Sequence, residues 1–198
     1  MNGARIFSGL LALVLLTASA ASAAAPAPRV SLQSVQANFL QEKHLQILSE
    51  PLMSRGVFAF QAPRSLRWEY LYPVRTLLLV HDDSIRKLIE QNGRMVEDPG
   101  LAMDSINLVL EEITNWLAGR FTDNPAFEAS FPDSRTIVLI PKDAGLAAVI
   151  SRIELTLQGE DGLLESVLIN EGPDTFTRLT FSDALLNRRL APELFTSP

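Results

Sequence analysis

The sequence predicts a mainly β (α+β) fold: a strongly curved antiparallel sheet, or partial barrel, that holds one helix. Two observations predict it. Short segments rich in aromatic and aliphatic residues are separated by prolines and turn-forming pairs, which is typical of antiparallel strands joined by short loops. One segment near the middle of the chain differs, because its apolar residues recur at the three- and four-residue spacing of an amphipathic helix.

Residues 1–25 have the features of a cleaved secretory signal peptide. Arg5 provides a short basic start, an apolar run of about eleven residues follows, and several pairs of small residues offer cleavage sites before residue 26. The run is too short to span a bilayer, which requires about twenty apolar residues. We therefore predict an exported chain that does not span the membrane, with one domain over residues 26–198.

The composition limits the class of protein further. The chain of 198 residues has a net charge of −6 and no basic block, which argues against nucleic acid as a partner. It has no cysteine, so its stability must come from packing instead of disulfides, and no thiol can be lipidated after the leader. A secretory leader without disulfides favours a location in the periplasm.

The first predicted strand starts at Val35 and runs toward Ile47, with its clearest alternation over residues 35–41. Val35, Ala37 and Phe39 alternate with polar residues there, as in a strand with one buried face. A helix that starts at Ser31 is the alternative, because Val35 and Phe39 also fit a 3.6-residue period.

Four further strands follow in close succession. The Asp82-Asp83 and Asn92-Gly93 pairs are predicted hairpin turns, because their residue types tolerate the backbone conformations that tight turns need. The predicted strands are Gly56–Phe60, Ser65–Tyr72, Thr76–Val80 and Ile85–Glu90.

An aromatic and aliphatic face runs across these strands. In the segment 65–70, large apolar residues alternate with polar and charged ones, so one face is apolar and the other is charged. Two interpretations remain open from the spacing alone: the face is ordinary core packed against the helix, or it is the wall of a ligand pocket. The residues concerned are Phe58, Phe60, Leu66, Trp68, Tyr70, Leu77 and Leu79.

The predicted helix covers Met103–Ala118. Its apolar residues recur at helical spacing, Asp104 or Ser105 can cap its start, and Gly119 can end it. A second series of strands is predicted after it, with hairpin turns at 160–162 and 171–174, a short helical connection within 142–150, and an irregular tail from residue 183 that Pro192 interrupts. These strands are 126–131, 135–140, 153–158, 163–170 and 175–182, which makes about ten in all.

The sequence offers no catalytic constellation, and we predict that the protein is not an enzyme and holds no metal or cofactor. His81 is followed by two aspartates that already form a turn, and no second cluster has ligand spacing. His44 fits an ordinary surface residue. Glu111 and Glu112 are adjacent on a helix, so they fit a solvated face better than a catalytic pair.

The order of several short motifs resembles the LolA family of periplasmic lipoprotein carriers, in a divergent branch, over nearly all of residues 26–198. The first motif is Val-x-Ala-x-Phe-x-Gln at 35–41, and the second is Pro-x-x-Leu-Arg-Trp-x-Tyr-x-x-Pro at 63–73. Later motifs are Phe-x-x-Ser-Phe at 127–131, Val-Leu-Ile-Pro-Lys-Asp at 138–143, Ile-Glu-Leu at 153–155 and Thr-Arg-Leu-Thr-Phe at 177–181.

The resemblance implies an incomplete β-barrel with a helical lid over an apolar concave face that takes up acyl chains. The expected partners are acylated lipoproteins or other lipids, an inner-membrane donor complex and an outer-membrane acceptor, with the carrier itself a monomer. The seven residues of the aromatic and aliphatic face are then the expected ligand-binding residues.

Two departures from the family pattern bear on the lid and the cargo. The family has an arginine directly before the first proline of the second motif, where it latches the lid; here that residue is Ala62, and Arg64 or Arg67 would have to replace it. Few residues precede Val35 in which the family's first helix could form. A non-protein lipid as cargo, or a sensory or adaptor domain of the same shape, are the alternative functions.

Overall fold

The computed structural model describes residues 32–98, 111–113, 115–116, 120–122, 124–159 and 163–198. The predicted leader lies outside the described residues. So do the predicted turn at 160–162 and the predicted helix 103–118 except for residues 111–113 and 115–116, which are helical.

Within the described residues, eleven strands form one antiparallel sheet that is curved but not closed into a barrel. The strand order is β6-β5-β4-β3-β2-β1-β11-β10-β9-β8-β7, so pairing between β1 and β11 joins the first and second series of strands. The strands are β1 (Ser34–His44), β2 (Leu52–Gln61), β3 (Ser65–Tyr72), β4 (Thr76–His81), β5 (Ser84–Gln91), β6 (Arg94–Glu97), β7 (Phe127–Ser130), β8 (Thr136–Pro141), β9 (Arg152–Gln158), β10 (Leu163–Gly172) and β11 (Thr175–Leu186).

The predicted fold class is confirmed, and so are the predicted hairpin turns at 82–83, 92–93 and 171–174. Asp82, Asn92 and Asp174 have φ values of 51°, 52° and 56°, and Gly93 has a φ of 75°. Short polar residues and glycine adopt this left-handed conformation more readily than other residues, which is why these positions can close tight turns. The first predicted strand corresponds to β1, which ends at His44 and not near Ile47, and the strand excludes the alternative helix over those residues.

The inner, concave face of the sheet carries the main core. The register pairs Phe58 with Trp68 and Phe60 with Leu66, so these four side chains share one face. Phe39 from β1 lies over Gly56, where an added Cβ would stand 2.7 Å from the tip of its ring. The absence of a side chain at Gly56 therefore lets the aromatic rings of β1 and β3 meet.

The predicted position of Leu77 and Leu79 on this face is wrong. The register pairs Leu77 with Glu69 and Leu79 with Arg67, so both leucines lie on the outer face with the charged residues of β3. There they form a separate buried cluster with Leu88. Successive side chains of a strand point to opposite faces of the sheet. An error of one residue in the expected register therefore places a side chain on the wrong face.

The tail is more ordered than predicted. β11 continues to Leu186, and a 3₁₀ helix covers Pro192–Phe195, where Pro192 begins the turn instead of interrupting it. Phe195 is only 1% exposed because it packs against Ala59 and Leu190 on the outer face. The tail thus covers apolar surface on the side of the sheet that faces away from the main core.

The helical connection predicted within 142–150 is confirmed as the short helix Ala144–Ala147. Asp143 caps it, since its carboxylate accepts hydrogen bonds from the backbone N–H groups of Gly145 and Leu146. Ile150, just after this helix, packs against the main core and helps to enclose the inner face.

Candidate functional site: an apolar cavity on the inner face

A cavity of about 160 Å³ lies between the inner face of the sheet and the described helical residues 111–113 and 115–116. It is partly open to solvent. Glu112, Ile113 and Trp116 line it from the helical side, and Leu32 and Ile150 line it as well. The other lining residues are Val35, Ala37, Phe58, Trp68, Phe127, Ile153, Leu163, Leu164, Val167, Ile169, Leu179, Phe181 and Ala184.

The cavity is apolar because inward-facing residues of both series of strands converge on it. In the second series, Ile153 pairs with Ile169 and Val167 pairs with Leu179, so the large side chains of β9, β10 and β11 share one face. The β1–β11 pairing then places them opposite the aromatic residues of β2 and β3. The two series therefore form two walls of one concave surface.

The predicted site residues divide into three groups. Phe58 and Trp68 line the cavity. Phe60, Leu66 and Tyr70 belong to the same core cluster but do not line the cavity. Leu77 and Leu79 lie on the outer face, as described above.

Sequence reasoning missed the wall that the second series of strands provides, including Ile153, Val167 and Leu179. The alternation of Ile153, Leu155 and Leu157 was a visible signal of a buried face. Their proximity to Trp68 was not visible, because it depends on the pairing of the first strand with the last.

Aromatic contacts fix the orientation of Trp68. Its ring centroid lies 5.4 Å from that of Phe39 and 5.5 Å from that of Phe58, the latter at an interplanar angle of 85°. Phe58 in turn lies 6.1 Å from Phe181 on β11. Edge-to-face pairs of this kind favour one orientation of each ring, so this side of the cavity has a well-defined shape.

Glu112 is the one ionisable residue among the described residues that line the cavity, and it is only 4% exposed. The Asn124 side-chain amide donates to both of its carboxylate oxygens, at 3.0 and 2.8 Å. Asn124 is itself fixed, since its Oδ1 accepts from the backbone N–H groups of Ala126 and Phe127. The prediction of a solvated face holds for Glu111, which is exposed, and is wrong for Glu112.

The pKa of Glu112 is raised above its ordinary value. Burial is the largest cause, because it disfavours the charged form of the carboxyl group. Asn124 and the nearby Trp116 side chain act in the opposite direction, and the neighbouring charge of Glu111 raises the pKa further. The cavity wall therefore includes a carboxyl group that holds its proton to a higher pH than an exposed glutamate does.

A charged network occupies the opposite side of the sheet. Glu69 is 4% exposed and forms ion pairs of 2.7 Å with both Arg67 and Arg75. Burial alone would raise the pKa of Glu69, but the hydrogen bonds and charges of the two arginines outweigh it, so the pKa is lowered.

Arg67 also holds the tail, because its Nη1 donates to the carbonyl oxygens of Leu194 and Ser197 at 3.1 and 2.8 Å. Its guanidinium is thus engaged on the outer face, away from the cavity. Arg67 thus lies on the face opposite Trp68, as the alternation in β3 predicts, and Arg64 lies in the turn between β2 and β3.

Both histidine rings stack on phenylalanine side chains. The His81 Nδ1 lies 3.0 Å from the Ser65 hydroxyl, and its ring stacks on Phe195 at 6.5 Å. The His44 ring stacks on Phe176 at 4.1 Å. Within the described part of the chain, no group of three or more potential ligand residues could hold a metal ion, and no helix is both long and apolar enough to cross a bilayer.

Comparison with known proteins identifies the family. The sequence profile described as "Outer membrane lipoprotein carrier protein LolA" matches residues 30–198. The chain belongs to the LolA family. No curated protein matches this LolA family member.

Solved structures similar to this LolA family member include a DUF1329 family protein from Desulfovibrio piger, at 11% identity and a TM-score of 0.43 over 83% of this chain and 90% of that one. A second is the LolA superfamily protein NE2245 from Nitrosomonas europaea, at 10% identity and a TM-score of 0.41 over 87% and 94%. The MucA/MucB complex of Pseudomonas aeruginosa matches at 16% identity and a TM-score of 0.36 over 83% and 56%. At such low identity and TM-score, these likenesses say nothing about what this chain binds.

Proposed function

We propose that this LolA family member is a periplasmic carrier, which holds acyl chains of lipoproteins or other lipids in the inner-face cavity and takes them toward the outer membrane. The observation that carries the proposal is the cavity itself, whose described lining is almost entirely apolar, with Glu112 as its one ionisable residue. Apolar walls of this kind favour hydrocarbon over any polar substrate.

The energetics of acyl chains explain why such a carrier needs a cavity. Burial of one methylene group contributes roughly 0.8 kcal/mol, so a sixteen-carbon chain represents on the order of 12 kcal/mol that water would oppose. A lipid cannot cross an aqueous compartment at a useful rate against that free energy. An apolar wall that replaces the membrane during transit removes most of the barrier.

The volume of the cavity indicates that loading requires rearrangement. Its 160 Å³ is close to the roughly 150 Å³ of an apolar cavity that holds a benzene molecule, and below the roughly 300 Å³ at which ligand pockets begin. A long chain therefore has to displace side chains that now contact the sheet, of which Ile113 and Trp116 are the described candidates. Competition between these side chains and the ligand for one surface keeps binding reversible.

The partners follow from the same proposal. A carrier of this kind receives its cargo from an inner-membrane donor complex, delivers it to an outer-membrane acceptor and acts as a monomer. Only transient complexes with either membrane protein are expected. A stable complex with one membrane protein would instead favour the adaptor function.

Binding of a fluorescent long-chain fatty acid analogue tests the proposal. Trp68→Glu places a carboxylate on the cavity wall and is expected to weaken binding by about tenfold or more, because an acyl chain cannot solvate it. Ala184→Trp fills the mouth of the cavity from an exposed position and should have the same effect in a variant that folds readily.

The matched control is Leu185→Glu. Leu185 is 51% exposed and pairs with Gln36 on the outer side of the sheet, so binding should stay within twofold of the wild type. Circular dichroism confirms that each variant is folded. Undiminished binding in both folded cavity variants would place the acyl site elsewhere.

A further inference from the structure

Exposed apolar side chains are concentrated at one end of the sheet. Among the described residues, eight of the eleven large apolar residues that are exposed come from β1 to β3 and the loops that follow β1 and β3. Exposed apolar residues on a soluble surface are normally scattered singly, so a concentration of this kind indicates a contact surface. The eight residues, which together form the tip surface, are Leu40, Ile47, Leu48, Leu52, Met53, Leu71, Tyr72 and Val74.

Strand pairing makes the tip surface continuous. Arg55 of β2 lies opposite both Leu40 of β1 and Tyr72 of β3. β2 begins at Leu52, just after the β1–β2 loop, and β3 ends at Tyr72, just before the β3–β4 loop, so both loops leave the sheet at the same end. Leu40, Met53, Arg55 and Tyr72 line one open depression there. The exposed apolar residues of three strands and two loops therefore form one surface.

The side chains of the tip surface are arranged in layers. Ile47, which is 88% exposed, and Leu48 lie in the β1–β2 loop, where the Leu48 N–H donates to the Leu45 carbonyl oxygen at 2.9 Å and closes the turn. Farther back on the strands, the Arg55 guanidinium lies over the Tyr72 ring, 5.7 Å from its centroid. Aliphatic groups at the tip, followed by an aromatic ring and a cation, match the order of layers at a bilayer surface, where aromatic rings and long cationic side chains lie at the level of the head groups.

The charges behind the tips suit lipid head groups. Glu42 pairs with Arg178 at 3.6 Å and Lys43 pairs with Glu171 at 2.9 Å, so these four charges compensate each other. Arg55 is exposed, and a guanidinium can donate two parallel hydrogen bonds to a phosphate group. The chain as a whole has a net charge of −6, so attraction to an anionic lipid has to come from this local cation.

We propose that the tip surface docks on the surface of a phospholipid bilayer, with Ile47 and Leu48 inserted among the acyl chains and Arg55 at the level of the phosphates. The contact is peripheral, because two loops enter the interface and neither crosses the bilayer. None of the eight residues is among those that line the inner-face cavity. Docking and the carriage of acyl chains therefore use different surfaces, and each can be tested without the other.

Flotation with vesicles of phosphatidylethanolamine and phosphatidylglycerol tests the docking. Ile47→Glu changes an exposed loop residue, so it should fold as the wild type does, and it is expected to lower the partition coefficient onto vesicles by about tenfold or more, because a carboxylate replaces an inserted aliphatic group. Leu185→Glu is the matched control. It adds the same charge at an exposed leucine that pairs with Gln36, near the opposite end of β1, and should stay within about twofold of the wild type.

The role of Arg55 is tested with vesicles of two compositions. Arg55→Gln should lower the partition coefficient by about fivefold on vesicles that contain phosphatidylglycerol, and by less than about twofold on vesicles of phosphatidylcholine alone. An equal loss on both kinds of vesicle would overturn the placement of Arg55 at the anionic head groups.

A fluorescent label separates a lipid surface from a protein partner, because only protein and vesicles are present. The sequence has no cysteine, so Ile47→Cys and Leu185→Cys each provide one site for an environment-sensitive fluorophore. Vesicles should shift the emission of the label at position 47 to shorter wavelengths and leave the label at position 185 unchanged.

Three results would overturn the proposal: a wild type that does not float with the vesicles, an Ile47→Glu variant that floats equally well, or a label at position 47 that does not shift. A wild-type dimer in sedimentation that Ile47→Glu disperses would also overturn it and assign the tip surface to a second copy of the chain. Binding of the fluorescent fatty acid analogue to Ile47→Glu should equal that of the wild type, since Ile47 lies outside the cavity. Failure of docking and failure of the carrier proposal are thereby distinguished.

Discussion

Glu112 is the residue whose surroundings differ most from what its place in the sequence predicts. An acidic pair on an amphipathic helix is typical of a solvated surface, and Glu111 fits that pattern. Glu112 instead faces the cavity and relies on the Asn124 amide for its hydrogen bonds. Asn124 lies twelve residues further along the chain. Sequence periodicity alone could not reveal a partner that a loop brings into place.

The raised pKa of Glu112 predicts a pH dependence of stability. Its native state holds the proton at pH values where the unfolded chain, with an ordinary value of 4.5, has already lost it. The free energy of unfolding therefore falls as the pH rises from that value through the higher native pKa. Glu112→Gln is neutral throughout, so its stability relative to the wild type should increase as the pH rises above 4.5 and level off once the pH exceeds the raised native pKa of Glu112.

Denaturant unfolding at several pH values measures this difference. Glu111→Gln, an exposed neighbour, is the control and should show no comparable trend. The difference in the free energy of unfolding between Glu112→Gln and the wild type could instead stay constant or shrink as the pH rises. That result would show that the native fold does not raise the pKa of the Glu112 carboxyl group.

At the scale of elements, strand positions were predictable but their registers and faces were not. Breakers and hairpin pairs in the sequence mark the ends of β3 to β5 to within one residue, whereas β2 begins at Leu52, four residues before its predicted start at Gly56. They do not determine which residue of β4 lies opposite Trp68, and Leu77 and Leu79 consequently lie on the unpredicted face. The tail was misjudged for a related reason, because its order depends on Ala59 of β2 and on hydrogen bonds from Arg67.

The tail should therefore contribute substantially to stability. Phe195→Ala removes a side chain that is 1% exposed and should lower the free energy of unfolding by about 3 kcal/mol or more. Val149→Ala, at a position 62% exposed, should change it by less than about 0.5 kcal/mol. Urea unfolding of the two variants beside the wild type gives both values. A loss below about 1 kcal/mol for Phe195→Ala would indicate a tail that detaches locally without weakening the sheet.

The whole molecule is organised by the pairing of its first and last strands. Because these two strands pair, the inner faces of both series of strands line one cavity. Aromatic residues of β2 and β3 lie on one side of it, and aliphatic residues of β9, β10 and β11 lie on the other. The sequence indicated the fold class, the approximate positions of most strands and two of the predicted site residues that line the cavity, Phe58 and Trp68. The rest of the cavity depends on contacts between segments distant in sequence, which local periodicity does not encode.

Native mass spectrometry of the full-length chain, recovered from the periplasm of a Gram-negative host, tests most directly whether the inner face receives hydrocarbon. We predict species heavier than the polypeptide by the mass of acylated molecules, either as isolated or after incubation with a triacylated lipopeptide. Ala184→Trp should lack them. A wild-type chain that shows only its bare mass under both conditions would mean that side chains fill the concave face permanently, and that the protein does not carry acyl chains.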